Sequence, residues 1–343
     1  MINLYSDTQT KPTPAMRRAM AEAEVGDEQR DQDPTVIKLQ EMVAELLGKE
    51  AGLFLPSGTM CNMIAIKAHT QPGDAILGDR MCHILRAELG GAAFHAGVTV
   101  DQLDGKHGIF TPEQVTEGLK RVSYYSPPVT LVCVENTHNY GGGTVWPIEQ
   151  LRAVCKVAHD VNRKTHMDGA RLLNACVATG ISAKEYSAPL DSSWIDLSKG
   201  LGCPVGAVLA GSKEFITKSR RLKHVFGGAM RQAGIIAAAG VYALEHHVER
   251  LAEDHANAKL LARGLSDIRG IKLGAAGEPQ TNILYFDVSG TGLSNVEFTK
   301  RLEQRGVSMS AIAGMVRAVT HLDVSRADCE RAVELCREVA AAR

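Results

Sequence analysis

Residues 193–211 read SWIDLSKGLGCPVGAVLAG. An apolar run, WIDLS, leads into a single lysine, Lys199, set among glycines, and a second apolar run, GAVLAG, follows. Short runs rich in apolar and β-branched residues, bounded by polar or glycine turns, read as buried strands. Most lysines of the chain keep polar neighbours, whereas this one sits where its charge would be partly desolvated. Outward from this stretch, TLVCVEN (130–136) and KTHMD (164–168) have the same texture and alternate with helical patterns. DPTVIKLQEMVAELLGKE (33–50) is the clearest helix, with Asp33 as cap, Pro34 in the first turn and a glycine near the end. From about residue 34 to 250 the alternation predicts βαβ units around a mostly parallel sheet, an α/β class fold. In such sheets ligands gather at the carboxyl ends of the strands.

A long helical pattern covers 231–265 and leads into a different texture: NILYFDV (282–288), a helical stretch at 294–306, VRAVTHLD (316–323) and a closing helix from about 326. This predicts a large domain, 1–245, and a small C-terminal α/β domain, 246–343.

Composition narrows the function classes. The chain has 343 residues, 45% of them hydrophobic and 22% charged, with a formal net charge of -1. Its cations are scattered except in TKSRRLKH (217–224), which reads as a solvated helix face or subunit contact, so neither nucleic acid nor a membrane surface is an expected partner. No apolar run is long enough to span a bilayer, and the first residues lack the features of a secretory signal. The eight cysteines show neither a CxxC pair nor zinc-like spacing. They read as reduced core thiols, and a cytoplasmic protein without a bound metal is expected.

Three local signals carry chemistry. LPSGTMCN (55–62) places Ser57, Gly58 and Thr59 at a helix start, where free N–H groups and small side chains can seat a phosphate, although Ser-Gly-Thr is also an ordinary cap. In HMDGARLLNA (166–175), Asp168 ends a strand, where a carboxylate needs a cation: the protonated ring nitrogen of pyridoxal phosphate or, equally, Arg171 three residues on. Lys199, partly buried near a strand end, can form an imine with an aldehyde cofactor. The order of phosphate seat, aspartate, lysine and small domain is what a pyridoxal-phosphate enzyme of the aspartate-aminotransferase fold requires.

The chain resembles the low-specificity L-threonine aldolases nearly end to end. The resemblance rests on SDTQTKPTPAM (6–16), VGDEQRDQDPTV (25–36), LPSGTMCN, ENTHN (135–139), DGARLLNA, LSKGLGCPVG (197–206), FGGAMRQAG (226–234) and VRAVTHLDVSR (316–326). It implies the fold type I architecture of pyridoxal-phosphate enzymes, with a mostly parallel sheet of the seven-stranded type and a small C-terminal domain. It implies cleavage of threonine, allo-threonine and related β-hydroxy-α-amino acids to glycine and an aldehyde. Other pyridoxal-phosphate reactions on this fold, such as β-elimination, are the competing reading.

Residue by residue, the resemblance implies that Lys199 holds the cofactor, Asp168 meets its ring nitrogen, and Ser57, Gly58 and Thr59 bind its phosphate, helped by Arg231 from a neighbouring subunit. His83 lies against the ring and is the first choice of catalytic base, with His138 second and Glu88 a nearby acid. Ser6, Arg171 and Arg317 match the groups that hold the substrate carboxylate. A homotetramer with sites at a dimer interface is implied. Two stretches depart from the family pattern: Arg30 and Asp31 stand where a tyrosine and a glycine are expected, and Leu85 and Arg86 where an aromatic is common. Arg30 facing the site would favour a larger or acidic aldehyde fragment; the alternative is an Arg30–Asp31 surface or interface contact.

Overall fold

The computed structural model describes residues 1–120 and 123–342. Its strands, in chain order, are β1 (Ile2–Asn3), β2 (Ala51–Leu55), β3 (Ala75–Asp79), β4 (Thr99–Leu103), β5 (Val129–Glu135), β6 (Lys164–Asp168), β7 (Ser192–Asp196), β8 (Ala207–Gly211), β9 (Lys272–Leu273), β10 (Ile283–Asp287), β11 (Val307–Ser308), β12 (Ser310–Ile312) and β13 (Met315–Val319). Strands β2 to β8 form a seven-stranded sheet in the order β2-β8-β7-β6-β5-β3-β4. Only β8 runs against its neighbours. Strands β3, β5, β6 and β7 are almost wholly buried, because helices cover both faces of the sheet. Among the described residues no helix is long and apolar enough to cross a membrane.

Four of these parallel strands end in an acid: Asp79 on β3, Glu135 on β5, Asp168 on β6 and Asp196 on β7. β2 runs the same way and leads, two residues on, to Ser57. The sheet thus delivers a row of buried carboxylates and a helix N-terminus to one edge.

The long helical pattern at 231–265 is two helices, Gly234–His246 and Leu251–Ser266. His247 lies in the break, its Nδ1 2.7 Å from the Leu201 carbonyl oxygen. A four-stranded antiparallel sheet, β12-β13-β10-β9, follows the second helix. A separate core gathers Leu261, Phe286, Phe298, Val316 and Cys336, and Leu4 from the other end of the chain joins it. That return is anchored by β1, which pairs in parallel with β11. The closing helix, Arg326–Ala341, begins in a capping box between Ser325 and Asp328. Ser325→Ala is expected to lower stability by about 1 kcal/mol, read from the urea midpoint at unchanged slope.

The basic stretch is not only a solvated face. Lys223 is buried and its ammonium bonds Glu28 and the Phe54 carbonyl oxygen, while Arg220 holds Asp31 and the carbonyl oxygens of Glu28 and Gln29. Helix Lys213–Val225 therefore clamps the segment that departs from the family pattern. All eight cysteines are free and seven are buried.

Candidate active site

Lys199 lies in the loop between β7 and β8, closed by the Leu197 N–H to the Gly206 carbonyl at 3.0 Å and the Cys203 N–H to the Leu197 carbonyl at 3.0 Å. Gly202 and Gly206 take φ of +78° and +110°, which glycine adopts without strain. The lysine side chain is 14% exposed, and its Nζ lies 2.8 Å from Asp196 Oδ2 and 5.8 Å from the Trp194 ring centroid. The glycines and apolar run around Lys199 predict few polar neighbours for it. The structure corrects that: Asp196, three residues upstream at a strand end, is its partner. Asp196 is itself oriented by Ser198, whose N–H and hydroxyl both donate to Oδ1 at 2.8 Å.

Asp168 is 2% exposed. Among the described residues it accepts from neutral groups alone, the Asn62 amide at 2.8 Å and the Ala170 N–H at 3.1 Å. The alternative Asp168–Arg171 pair does not form. Arg171 turns instead to Asp7, donating from Nε and Nη2 at 2.7 Å each, a bidentate buried pair. Burial alone would raise the Asp7 carboxyl, but the Arg171 guanidinium overrides it and holds Asp7 well below the usual carboxylate range.

His83 opens a short helical turn after β3, its N–H donating to Glu135 Oε2 at 2.7 Å. Its ring is one-third exposed, with Nδ1 2.8 Å from Glu88 Oε1. Burial pushes the imidazole down, but the Glu88 hydrogen bond and the nearby Asp168, Glu88 and Glu135 charges outweigh it, and its pKa is raised. Atoms of His83, Glu88 and Asp168 lie within 4.8 Å of one another.

The second histidine has a different setting. His138 is 1% exposed; Nδ1 accepts from the Gly141 N–H at 3.0 Å and Nε2 faces Asp79 Oδ1 at 3.3 Å. Burial pushes this imidazole down, but the Glu135 and Asp79 carboxylates that face Nε2, with the Asp168 charge, outweigh it, and its pKa is raised. Through the Gly141 bond its ring also holds the loop after β5.

Ser57 caps helix Gly58–His69, with Oγ accepting from the Met60 N–H at 3.2 Å. A Cβ on Gly58 would sit 2.3 Å from the Trp194 ring and 3.2 Å from Asp196 Oδ2. The helix start is thus pressed against the residues that flank Lys199.

From the four-stranded sheet, Arg317 on β13 donates to Asn139 Oδ1 at 3.1 Å and the Tyr5 carbonyl at 3.3 Å. Among the described residues its buried Nε has no hydrogen-bond partner. Ser6 and Asp7 follow Tyr5 directly, so the N-terminal segment brings Arg317, Ser6 and Arg171 together. Thr10 extends this, its hydroxyl donating to the Lys199 carbonyl at 2.8 Å.

Arg30 and Arg231 are not drawn to this cluster within one chain. Their side chains are 75% and 62% exposed and both turn to Asp27, at 3.8 and 3.0 Å. The Arg30–Asp31 contact does not form, because Asp31 pairs with Arg220. Leu85 packs partly buried beneath the His83 turn, and Arg86 points outward to the Arg80 carbonyl oxygen.

These residues fit pyridoxal phosphate by the chemistry of their donors and acceptors. Among the described residues, a buried strand-end carboxylate bonded only to neutral groups suits a protonated ring nitrogen, a helix N-terminus suits a phosphate, and an amine paired with a residue that lies against that helix start suits an aldehyde. Sequence reasoning missed Asp7, Asn62, Glu135 and Asp196. Three of them carry a visible signal, since Glu135 and Asp196 end apolar runs and Asn62 closes the motif of the phosphate seat.

The chain is similar to proteins of a known family. Residues 3–289 match the family described as Beta-eliminating lyase. Over 327 residues the chain is 39% identical to the low specificity L-threonine aldolase of Escherichia coli strain K12, covering 95% of both chains. The fold is shared with a threonine aldolase of Leishmania major, at TM-score 0.84, 21% identity and coverage of 99% of this chain and 100% of that one. It is also shared with an aspartate aminotransferase of Thermus thermophilus, at TM-score 0.73, 18% identity and coverage of 99% and 91%.

Proposed function

The chain belongs to the beta-eliminating lyase family and, within it, to the low-specificity L-threonine aldolases, and from that premise we propose how its residues divide the work. The protein is a pyridoxal-phosphate-dependent lyase that cleaves threonine to glycine and an aldehyde. Lys199 is the residue that binds the cofactor covalently, Asp168 faces its ring nitrogen, and Ser57, Gly58 and Thr59 seat its phosphate. When bound, pyridoxal phosphate supplies a ring that takes up the electrons of the broken Cα–Cβ bond. The observation that carries this assignment is Asp168, a buried carboxylate at a strand end whose bonds, among the described residues, come from neutral donors alone.

The substrate carboxylate is held by Arg317 with Ser6, and by the Nη1 of Arg171 that the Asp7 pair leaves available. A planar guanidinium fixes such a carboxylate in one orientation, which sets the bond to be broken at its working angle. Because Arg317 stands in the small domain, substrate binding bridges the two domains.

His83 removes the β-hydroxyl proton. Glu88 holds Nδ1 at 2.8 Å, so that nitrogen carries the ring proton and Nε2 is the basic atom. Glu88 also keeps the pKa of His83 raised, and the neutral base accumulates only as pH rises through it. Glu88→Gln tests this role: Glu88 Oε1 alone accepts from both Asn62 and His83, so an amide oxygen can keep both bonds while the charge is lost. The acidic limb of kcat/KM for threonine is expected to move to lower pH in Glu88→Gln. A limb that stays in place would remove His83 from the role of base.

Allo-threonine is a second expected substrate. Assembly into a homotetramer, with Arg231 reaching a neighbouring subunit's phosphate seat, accounts for an arginine that is 62% exposed beside Asp27. A cytoplasmic location is consistent with eight free cysteines.

A further inference from the structure

Asn62 is completely buried on helix Gly58–His69 and makes four hydrogen bonds. The Trp194 indole nitrogen can only donate, so the Asn62 atom 2.8 Å from it is the amide oxygen. His166 Nε2 lies 3.2 Å from the same oxygen, and burial pushes this histidine down to about 3, so it is neutral. With the oxygen pinned at that end, the amide nitrogen must face Glu88 Oε1 at 2.6 Å and Asp168 Oδ2 at 2.8 Å. Its two N–H groups thus go to two different carboxylates. One of these orients His83, and the other ends β6.

The same helix starts at the Ser57 cap, about 7.5 Å along the axis from Asn62 at the usual rise per residue. A single rigid element therefore carries both the phosphate seat and the donor that fixes Asp168. We propose that Asn62 is a positioning residue for the cofactor: it sets the orientation of Asp168 relative to the phosphate seat and keeps the Asp168 and Glu88 carboxylates bridged by a neutral donor. The proposal rests on the reading that Asp168 faces the ring nitrogen. Asn62 acts through Asp168 and Glu88 and has no role in proton transfer.

The test is the dissociation constant of pyridoxal phosphate from the full-length chain, titrated by absorbance after removal and re-addition of the cofactor. Asn62→Asp places a third carboxylate oxygen against the other two and is expected to weaken retention about 10- to 100-fold. In an Asp168→Ala background the same change should have little further effect, because the two residues act as one unit. Trp194→Phe removes the bond that orients the amide, and ring atoms packed against Gly58 with it, and a loss on the order of 3-fold is expected; wild-type retention in this variant decides against the proposal if Asn62→Asp does not fold. Wild-type retention in Asn62→Asp, or in Trp194→Phe, would overturn the proposal, as would an equal loss with and without Asp168. Lys199→Ala in the same titration separates the two levels. If it keeps the wild-type spectrum, the reading of the site itself fails; if it loses that spectrum while Asn62→Asp binds normally, only the role of Asn62 fails.

Discussion

Lys199→Ala is expected to abolish threonine cleavage, a loss of at least about 10^4-fold, and to remove the visible absorbance of the bound cofactor. The fold should survive. Lys199 is a loop residue whose side chain makes one ion pair, and its partner Asp196 keeps two bonds from Ser198 after the change. The loop itself is held by backbone bonds, including the Gly202 N–H to the Lys199 carbonyl at 2.9 Å, which alanine preserves. Activity, absorbance and thermal midpoint measured together check this. Activity lost with the absorbance retained would mean that another amine holds the cofactor.

The second large effect is on stability. Arg171→Ala leaves Asp7 completely buried with its two charged bonds gone and, among the described residues, only Asn282 Nδ2, at 3.0 Å, as a side-chain donor. Breaking a buried pair from one side costs about 3–5 kcal/mol, so a marked fall in the urea midpoint is expected. Substrate binding should weaken as well, since Arg171 is assigned to the carboxylate. The pair also predicts a dependence on pH. The folded-state pKa of Asp7 is depressed, so its stabilising contribution is present above the unfolded value, about 4, and is lost as pH falls further. Urea midpoints measured from pH 7 downward should therefore fall for the wild type below about pH 4, and the share due to Asp7 should be missing in Arg171→Ala. An unchanged midpoint at neutral pH would show that the Arg171–Asp7 pair is not holding the N-terminal segment against the sheet.

What the sequence discloses follows from how local each signal is. The strands around the site are visible because they are buried on both faces and so read as unbroken apolar runs. Lys199 and Asp168 are visible because each interrupts or ends such a run. The partners that complete the chemistry lie far away in sequence. Asp7 reaches Arg171 across 164 residues and Asn62 reaches Asp168 across 106, and no spacing rule announces either contact. The split of 231–265 into two helices has no proline to mark it; a histidine at the break contacts the loop that carries Lys199 instead. Lys223 looked solvated in a basic stretch, yet it is buried against Glu28, because the helix face that carries it packs on the strand leading to the phosphate seat. Arg30 took its meaning from an expected tyrosine. Within one chain it is a surface residue beside Asp27, so the preference for an acidic aldehyde fragment gains no support from this protomer.

Retro-aldol cleavage at this edge of the sheet releases an aldehyde and glycine together. The most direct test is acetaldehyde and glycine release from L-threonine and L-allo-threonine by the purified chain loaded with pyridoxal phosphate. Equimolar acetaldehyde and glycine from either substrate is the expected result. Absence of acetaldehyde with both substrates, in a preparation whose absorbance shows the cofactor bound, would contradict it.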